Sequence, residues 1–275
     1  MPKVQADGLP LPQRYGAILT IVIGISMAVL DGAIANVALP TIATDLHATP
    51  ASSIWVVNAY QIAIVISLLS FSFLGDMFGY RRIYKCGLVV FLLSSLFCAL
   101  SDSLQMLTLA RVIQGFGGAA LMSVNTALIR LIYPQRFLGR GIGINSFIVA
   151  VSSAAGPTIA AAILSIASWK WLFLINVPLG IIALLLAMRF LPPNGSRASK
   201  PRFDLPSAVM NALTFGLLIT ALSGFAQGQS LTLIAAELVV MVVVGIFFIR
   251  RQLSLPVPLL PVDLLRIPLF SLSIC

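Results

Sequence analysis

Two charged side chains stand inside long apolar runs: Asp31, in the run at 15–39, and Arg111, in the run at 104–128. A charge in hydrocarbon costs about 2.5–3.5 kcal/mol on insertion scales, so each is a functional candidate. The chemistry open to this pair is proton exchange. A carboxylic acid of the aspartate type in water is only about 0.1% protonated at pH 7, too little to carry protons. Desolvation favours the protonated form, and a nearby cation favours the ionised one. If Arg111 approached Asp31 in one conformation and withdrew in another, the acid would take up and release a proton in each cycle. A thousandfold swing in proton affinity is about 4 kcal/mol, comparable with the roughly 2.3 kcal/mol that a charge draws from 100 mV. The same residues are open to a quieter role: a fixed ion pair, or an arginine bonded to backbone carbonyls, that holds helices together. A third charged residue, Glu237, lies in the run at 231–249 and is expected to face a neighbouring helix or a lipid defect.

Other polar residues fall into groups. Arg111, Gln114, Gly118, Met122 and Asn125 follow helical spacing along one side, and Asn58 and Gln61 lie one turn apart in the run at 51–74. Together they are candidates to line a cavity. Asp76, Gly79, Arg81 and Arg82 cluster in a turn, where glycine permits a tight reversal and the acid can cap a helix or pair with an arginine. Gly156 and Pro157 fall inside an apolar run, where proline removes a backbone bond and bends a helix. Catalytic chemistry has little to work with. His47 is the one histidine, expected to be solvated in a loop, and no nucleophile–base pair or phosphate-binding loop is visible. Cys86, Cys98 and Cys275 lack metal-type spacing, so no metal, cofactor or disulfide framework is expected. An enzyme and an ATP-driven pump are both disfavoured.

The elements that carry these residues follow from composition. Of 275 residues, 59% are hydrophobic and 9% charged, against about 45–50% and about 25% in soluble domains. Mean hydropathy is +1.05. A soluble enzyme, a disordered regulator and a secreted disulfide scaffold are excluded. A membrane-crossing helix needs about 20 mostly apolar residues. Eight such runs can be drawn, at 15–39, 51–74, 83–100, 104–128, 142–166, 171–190, 206–226 and 231–249, punctuated by Pro40, Pro50, Gly79, Pro134 and Gly228 among others. Ending the first helix at Pro40 puts Asp31 about 13 Å from its outer end, and Arg111 lies about 10 Å into its own.

The net charge of +9 invites a nucleic-acid reading, but the basic residues sit between apolar runs. With the N-terminus in the cytoplasm, inner segments hold fifteen of the seventeen Lys and Arg residues, while outer loops hold Lys170 alone. That bias sets topology, so a protein that crosses a membrane several times with a cytoplasmic N-terminus is expected, with lipid as surroundings and no nucleic-acid partner. The segments expected are a cytoplasmic tail at 1–14, a six-span bundle at 15–191, a polar proline-broken linker at 192–205, two further spans at 206–250, and a loop with the start of a ninth span at 251–275. A ninth span would need about 12 more residues, so a chain cut short is expected, with six spans beyond Cys275. No convincing repeat relates the two triplets of the first six spans.

Several segments resemble those of the major facilitator superfamily. The turn from Ser72 to Arg82 (SFLGDMFGYRR) resembles its inner-loop signature, with Ser72 in place of a glycine, Met77 where arginine is common and Tyr80 at a usually basic position. Arg111 to Gly115 (RVIQG) resembles its RxxQG motif, whose arginine is implicated in proton coupling. Residues 152–161 (SSAAGPTIAA) are similar to the antiporter signature of exporters, with Ala160 and Ala161 replacing a glycine pair. Residues 30–40 (LDGAIANVALP) and 169–180 (WKWLFLINVPLG) resemble segments of fourteen-span drug:proton antiporters of the EmrB/QacA type.

That resemblance implies an all-α integral membrane protein: a six-helix N-terminal bundle of 3+3 repeats plus two additional transmembrane helices, truncated before a C-terminal bundle. It implies proton-coupled efflux of lipophilic, cationic antimicrobial compounds or dyes. Asp31 and Arg111 would couple protons to substrate, and Asn58, Gln61, Gln114, Met122 and Asn125 would line the cavity. Asp76, Gly79, Arg81 and Arg82 would form an inner gate, and Gly156 and Pro157 the antiporter hinge. An uptake symporter and a non-transporting membrane sensor or scaffold are the rival readings.

Overall fold

In hydrocarbon a backbone must satisfy its own N–H and C=O groups, so apolar runs of this length become helices. The computed structural model describes residues 7–194, 203–255 and 258–260, and among them there is no strand. The helices are α1 (Leu11–Asp45), α2 (Pro50–Ser53), α3 (Trp55–Phe78), α4 (Tyr80–Ala99), α5 (Leu104–Ile132), α6 (Leu138–Leu164), α7 (Lys170–Leu174), α8 (Asn176–Phe190), α9 (Leu205–Ala226) and α10 (Leu231–Ser254). The short α2 and α7 run into α3 and α8, giving, among the described residues, eight spans long and apolar enough to cross a membrane. The basic linker residues Arg197, Lys200 and Arg202, together with Arg266 and the expected ninth span, lie outside the described residues.

Local chemistry sets the ends. Ser103 caps α5 by accepting from Met106 N at 3.3 Å, and Thr49 caps α2 by accepting from Ser52 N at 3.2 Å. Gly79, at φ +96°, takes a left-handed turn between α3 and α4 that residues with a side chain rarely adopt. Pro40 does not end the first helix as expected. α1 continues through it to Asp45, where Trp169 Nε1 donates to Asp45 Oδ2 at 2.7 Å and Ala38 and Ile42 are fully buried on either side of the proline. Proline costs a helix one backbone bond, which packing against neighbouring helices can offset inside a membrane. Asp31 therefore lies about 21 Å from the end of its helix, not about 13 Å.

The packing shows the repeat that the sequence hides. Grouping α1, α3 and α4 as one triplet and α5, α6 and α8 as the other, the first helix of each packs on the second and third of its counterpart. α1 lies on α6 and α8, α5 lies on α3 and α4, and the third helices α4 and α8 meet each other. The two first helices, α1 and α5, touch in the middle. Their residues at that contact include Asp31 and Arg111.

Small residues allow the close approaches. A Cβ on Gly156 would come within 2.5 Å of Ala33 Cβ, so α6 and α1 meet almost backbone to backbone. A Cβ on Gly117 would lie 2.7 Å from Phe91 N, which brings α5 equally near α4. α9 packs on α10 and on α3. Asn211 Nδ2 donates to Ile66 O at 3.0 Å, the Phe73 and Phe203 rings lie 6.0 Å apart, and Arg251 grips Asp204 with two hydrogen bonds of 2.9 and 2.8 Å.

Candidate functional site

α1 presents Asp31 to the centre of the bundle, 3% exposed, and α5 presents Arg111, fully buried. Arg111 Nη1 donates to Asp31 Oδ2 and forms a buried ion pair with it. Removing two charges from water is expensive, and their attraction repays it only where the remaining donors and acceptors are also met. Here most are. Arg111 Nη1 also donates to Gln114 Oε1 at 2.7 Å, and Nε donates to Val56 O on α3 at 3.0 Å. The other carboxylate oxygen, Asp31 Oδ1, accepts Gln114 Nε2 at 2.9 Å and Asn176 Nδ2 at 2.8 Å. Gln114 Nε2 also lies 2.9 Å from Ser95 Oγ on α4. Four helices, α1, α3, α5 and α8, thus meet at one carboxylate and one guanidinium, and α4 joins through Gln114.

One donor is left over. Among the described residues, Arg111 Nη2 is buried without a hydrogen-bond partner. Aromatic faces stand beside the guanidinium: the Tyr60 ring centroid lies 4.0 Å from Cζ and the Phe173 ring 5.6 Å away. Cation–π attraction of this kind strengthens as water is excluded. Tyr60 is itself fixed, its hydroxyl donating to Ala28 O at 2.8 Å. The arginine therefore has a resting place that does not depend wholly on Asp31.

The other residues singled out in the sequence are spread through the bundle. Gln114 is inside the network. Gly118 lies against Tyr60, whose hydroxyl would stand 3.0 Å from an added Cβ. Met122 packs against the apolar core, and Asn125 Nδ2 donates to Asn145 Oδ1 on α6 at 2.7 Å. The side of α5 expected to line one cavity is thus divided between the ion pair, core packing and an amide pair. Asn58 is half-buried and Gln61 exposed. At the turn, the Tyr80 hydroxyl donates to Asp76 Oδ1. Arg81 reaches α8, its Nη2 donating to Met188 O and its backbone N to Asn194 Oδ1 at 3.1 Å. Arg82 is exposed, Gly156 is buried against α1, and Pro157 is exposed. Glu237, on α10, has a buried Oε2 without a hydrogen-bond partner among the described residues. Half-buried Lys170 pairs with exposed Asp102 at 3.1 Å.

Asn176, Ser95 and Tyr60 join the site without having been singled out. Asn176 carried a signal: a lone amide in an apolar run, two residues before Pro178, where the helix breaks between α7 and α8. A proline two residues later cannot supply its own N–H to the preceding turn, and the break sets Asn176 at the start of α8, 4% exposed. Ser95 and Tyr60 gave none, because serines and tyrosines are common in such runs. Among the described residues no group of His, Cys, Asp or Glu could hold a metal ion.

A family model described as Major Facilitator Superfamily matches residues 21–274. The chain is 33% identical over 213 residues to the riboflavin transporter RibZ of Clostridioides difficile (strain 630), covering 78% of this chain and 47% of that protein. It is 33% identical to the tetracenomycin C resistance and export protein of Streptomyces glaucescens, covering 94% of this chain and 48% of the relative. It is 32% identical to the methylenomycin A resistance protein of Bacillus subtilis (strain 168), covering 92% and 54%. The chain spans about half the length of the curated relatives it matches. A crystal structure of a D-xylose-proton symporter shares the fold at a TM-score of 0.55 and 11% identity, over 78% of this chain and 69% of that one.

Proposed function

The chain belongs to the Major Facilitator Superfamily, and from that premise we propose that it forms the N-terminal part of a proton-coupled exporter of lipophilic, cationic antimicrobial compounds or dyes. It is a multi-pass membrane transporter by family and by its eight apolar helices. The bacterial inner membrane as its location and a cytoplasmic N-terminus belong to the proposal, supported by the distribution of basic residues. The observation that carries the coupling is the buried Asp31–Arg111 pair at the contact of the two first helices. A carboxylate held by a cation in a dry site releases that cation when it is protonated, because the attraction is lost while the burial remains. Asp31 is then the proton or cation site and Arg111 its partner. Gln114 belongs to the same network, and Asn58, Gln61, Met122 and Asn125 are the proposed lining of a path that opens when the pair parts. Asp76, Gly79, Arg81 and Arg82 are the proposed inner gate, supported by the ties of Arg81 to α8. Gly156 and Pro157 are the proposed hinge, supported by the close approach of Gly156 to α1.

The export direction is supported by one relative named as a resistance and export protein and by another named as a resistance protein. A relative named as a riboflavin transporter favours a second reading, movement of a planar biosynthetic compound in place of a drug. Energised inverted vesicles separate direction and cargo: an exporter loads ethidium-type dyes into them, with a matching movement of protons. Asp31→Asn abolishes that loading while the protein still accumulates in the membrane. Full proton-coupled loading by the variant at neutral pH would remove Asp31 from the mechanism.

A further inference from the structure

The two oxygens of Asp31 are not equivalent, and a residue on α8 makes the difference. Oδ2 faces Arg111 Nη1. Oδ1 accepts two neutral amide donors, Gln114 Nε2 at 2.9 Å and Asn176 Nδ2 at 2.8 Å. An amide N–H can only donate, so as long as both amides stay in place Oδ1 is confined to accepting. A proton arriving at this carboxylate must settle on Oδ2, the atom that Arg111 occupies. We infer that Asn176 is a positioning residue: with Gln114 it reserves Oδ1 and directs the proton to Oδ2, so that protonation and departure of Arg111 are one event. The inference rests on the proposed proton coupling at Asp31 and adds to it the atom and the residue that selects it.

The step balances simply. The proton forms an O–H bond at Oδ2 as the contact from Arg111 Nη1 breaks, and the arginine keeps its own charge. It retains Val56 O, Gln114 Oε1 and the Tyr60 and Phe173 rings. On release, the proton leaves Oδ2 and Nη1 returns. Oδ1 holds both amides throughout, so Asp31 does not rotate. Gln114 is a poor candidate for this role alone, since its Nε2 is shared with Ser95 Oγ and its Oε1 with Arg111 and the Cys98 thiol. Asn176 Nδ2 is the donor given by α8.

Other titratable groups face this acid from few directions. α5 brings Arg111, α3 brings Tyr60, whose hydroxyl is committed to Ala28 O, and α4 brings Cys98, bonded to Gln114. The remaining charged residues of the helices packed around it sit towards helix ends: Arg14 and Asp45 on α1, Asp76 on α3, Arg81, Arg82 and Lys85 on α4, Arg130 on α5, Arg140 on α6, Lys170 on α7 and Arg189 on α8. None of these competes for Oδ1.

Asn176→Leu keeps the branching at Cγ and removes the donor, and two readouts follow. In inverted vesicles, the pH at which proton-coupled loading is half-maximal moves up by about one unit, because the donor that is lost favours the charged carboxylate over the neutral acid by about tenfold. In infrared difference spectra of the purified protein across that pH range, the carbonyl band lost in Asp31→Asn moves to higher frequency in Asn176→Leu, since Oδ1 is the carbonyl oxygen of the protonated acid and has lost a donor. Should Asn176→Leu fail to accumulate, Asn176→Ala gives the same two measurements. An unchanged pH midpoint together with an unmoved carbonyl band would overturn the inference. Loss of the infrared band from wild type itself would strike instead at proton binding by Asp31.

Discussion

The buried pair makes a quantitative demand on stability. Asp31 and Arg111 have side chains 1% and 0% exposed, so removing either one strands the other. Breaking such a pair from one side costs about 3–5 kcal/mol, while replacing both partners together is often close to neutral. The surroundings decide where in that range each variant falls. Asp31→Asn leaves Arg111 with Val56 O, Gln114 Oε1 and two aromatic rings, so its cost lies near about 3 kcal/mol. Arg111→Met leaves Asp31 with two amide donors but no opposing charge, and its cost lies nearer about 5 kcal/mol. The double variant removes both charges and costs about 2 kcal/mol or less, a coupling well above the roughly 0.5 kcal/mol scatter of independent sites. The assay is denaturant or thermal unfolding of the purified protein in detergent for wild type, both single variants and the double. Single-variant losses that simply add in the double would refute the claim that these two residues form one energetic unit.

Two further perturbations test the frame around the site. Gly156→Val places a side chain where even a Cβ would lie 2.5 Å from Ala33 Cβ; forcing α6 from α1 costs about 1–3 kcal/mol, read as a lower unfolding midpoint, and Ala33→Gly restores part of it. At the start of α9, the hydrogen bonds from Arg251 hold the Asp204 carboxyl down at about 2. Its contribution is therefore present above about pH 4, the ordinary carboxylate range, and is lost as pH falls towards 2. Wild type loses stability over that window and Asp204→Asn does not, in unfolding midpoints measured between pH 5 and pH 2.5; parallel curves would show that the pair contributes nothing.

Among the described residues, the eight apolar helices and their order were legible in the sequence, because hydrocarbon leaves an apolar run of 20 residues few alternatives to a helix. Asp31 and Arg111 were legible for the same reason: charge stands out where almost nothing else is polar. Their partners were not. The side of α5 carrying Arg111, Gln114, Met122 and Asn125 has the spacing of a single face, yet it spans about 21 Å along the helix and meets different helices at different heights. Pro40 reads as a stop in isolation, but tertiary contacts carry α1 past it. The tie between α9 and α3 rests on Asn211, an amide indistinguishable in sequence from any other polar residue in an apolar span.

By itself the sequence determined the solvent, the helices and the bias of basic charge towards one set of loops, since these depend on counts along the chain. The tertiary structure decided which helix faces meet. In water an apolar stripe marks the buried side of a helix, whereas in lipid the outer side is apolar as well, so the pattern that would name the neighbours is missing. α6 shows it: its buried residues are Gly141, Ser152, Gly156 and Ala160, while Phe147 and Val151 are exposed. Only packing of small residues brings α1, α4, α5 and α8 close enough for Asp31, Ser95, Arg111, Gln114 and Asn176 to share one set of hydrogen bonds.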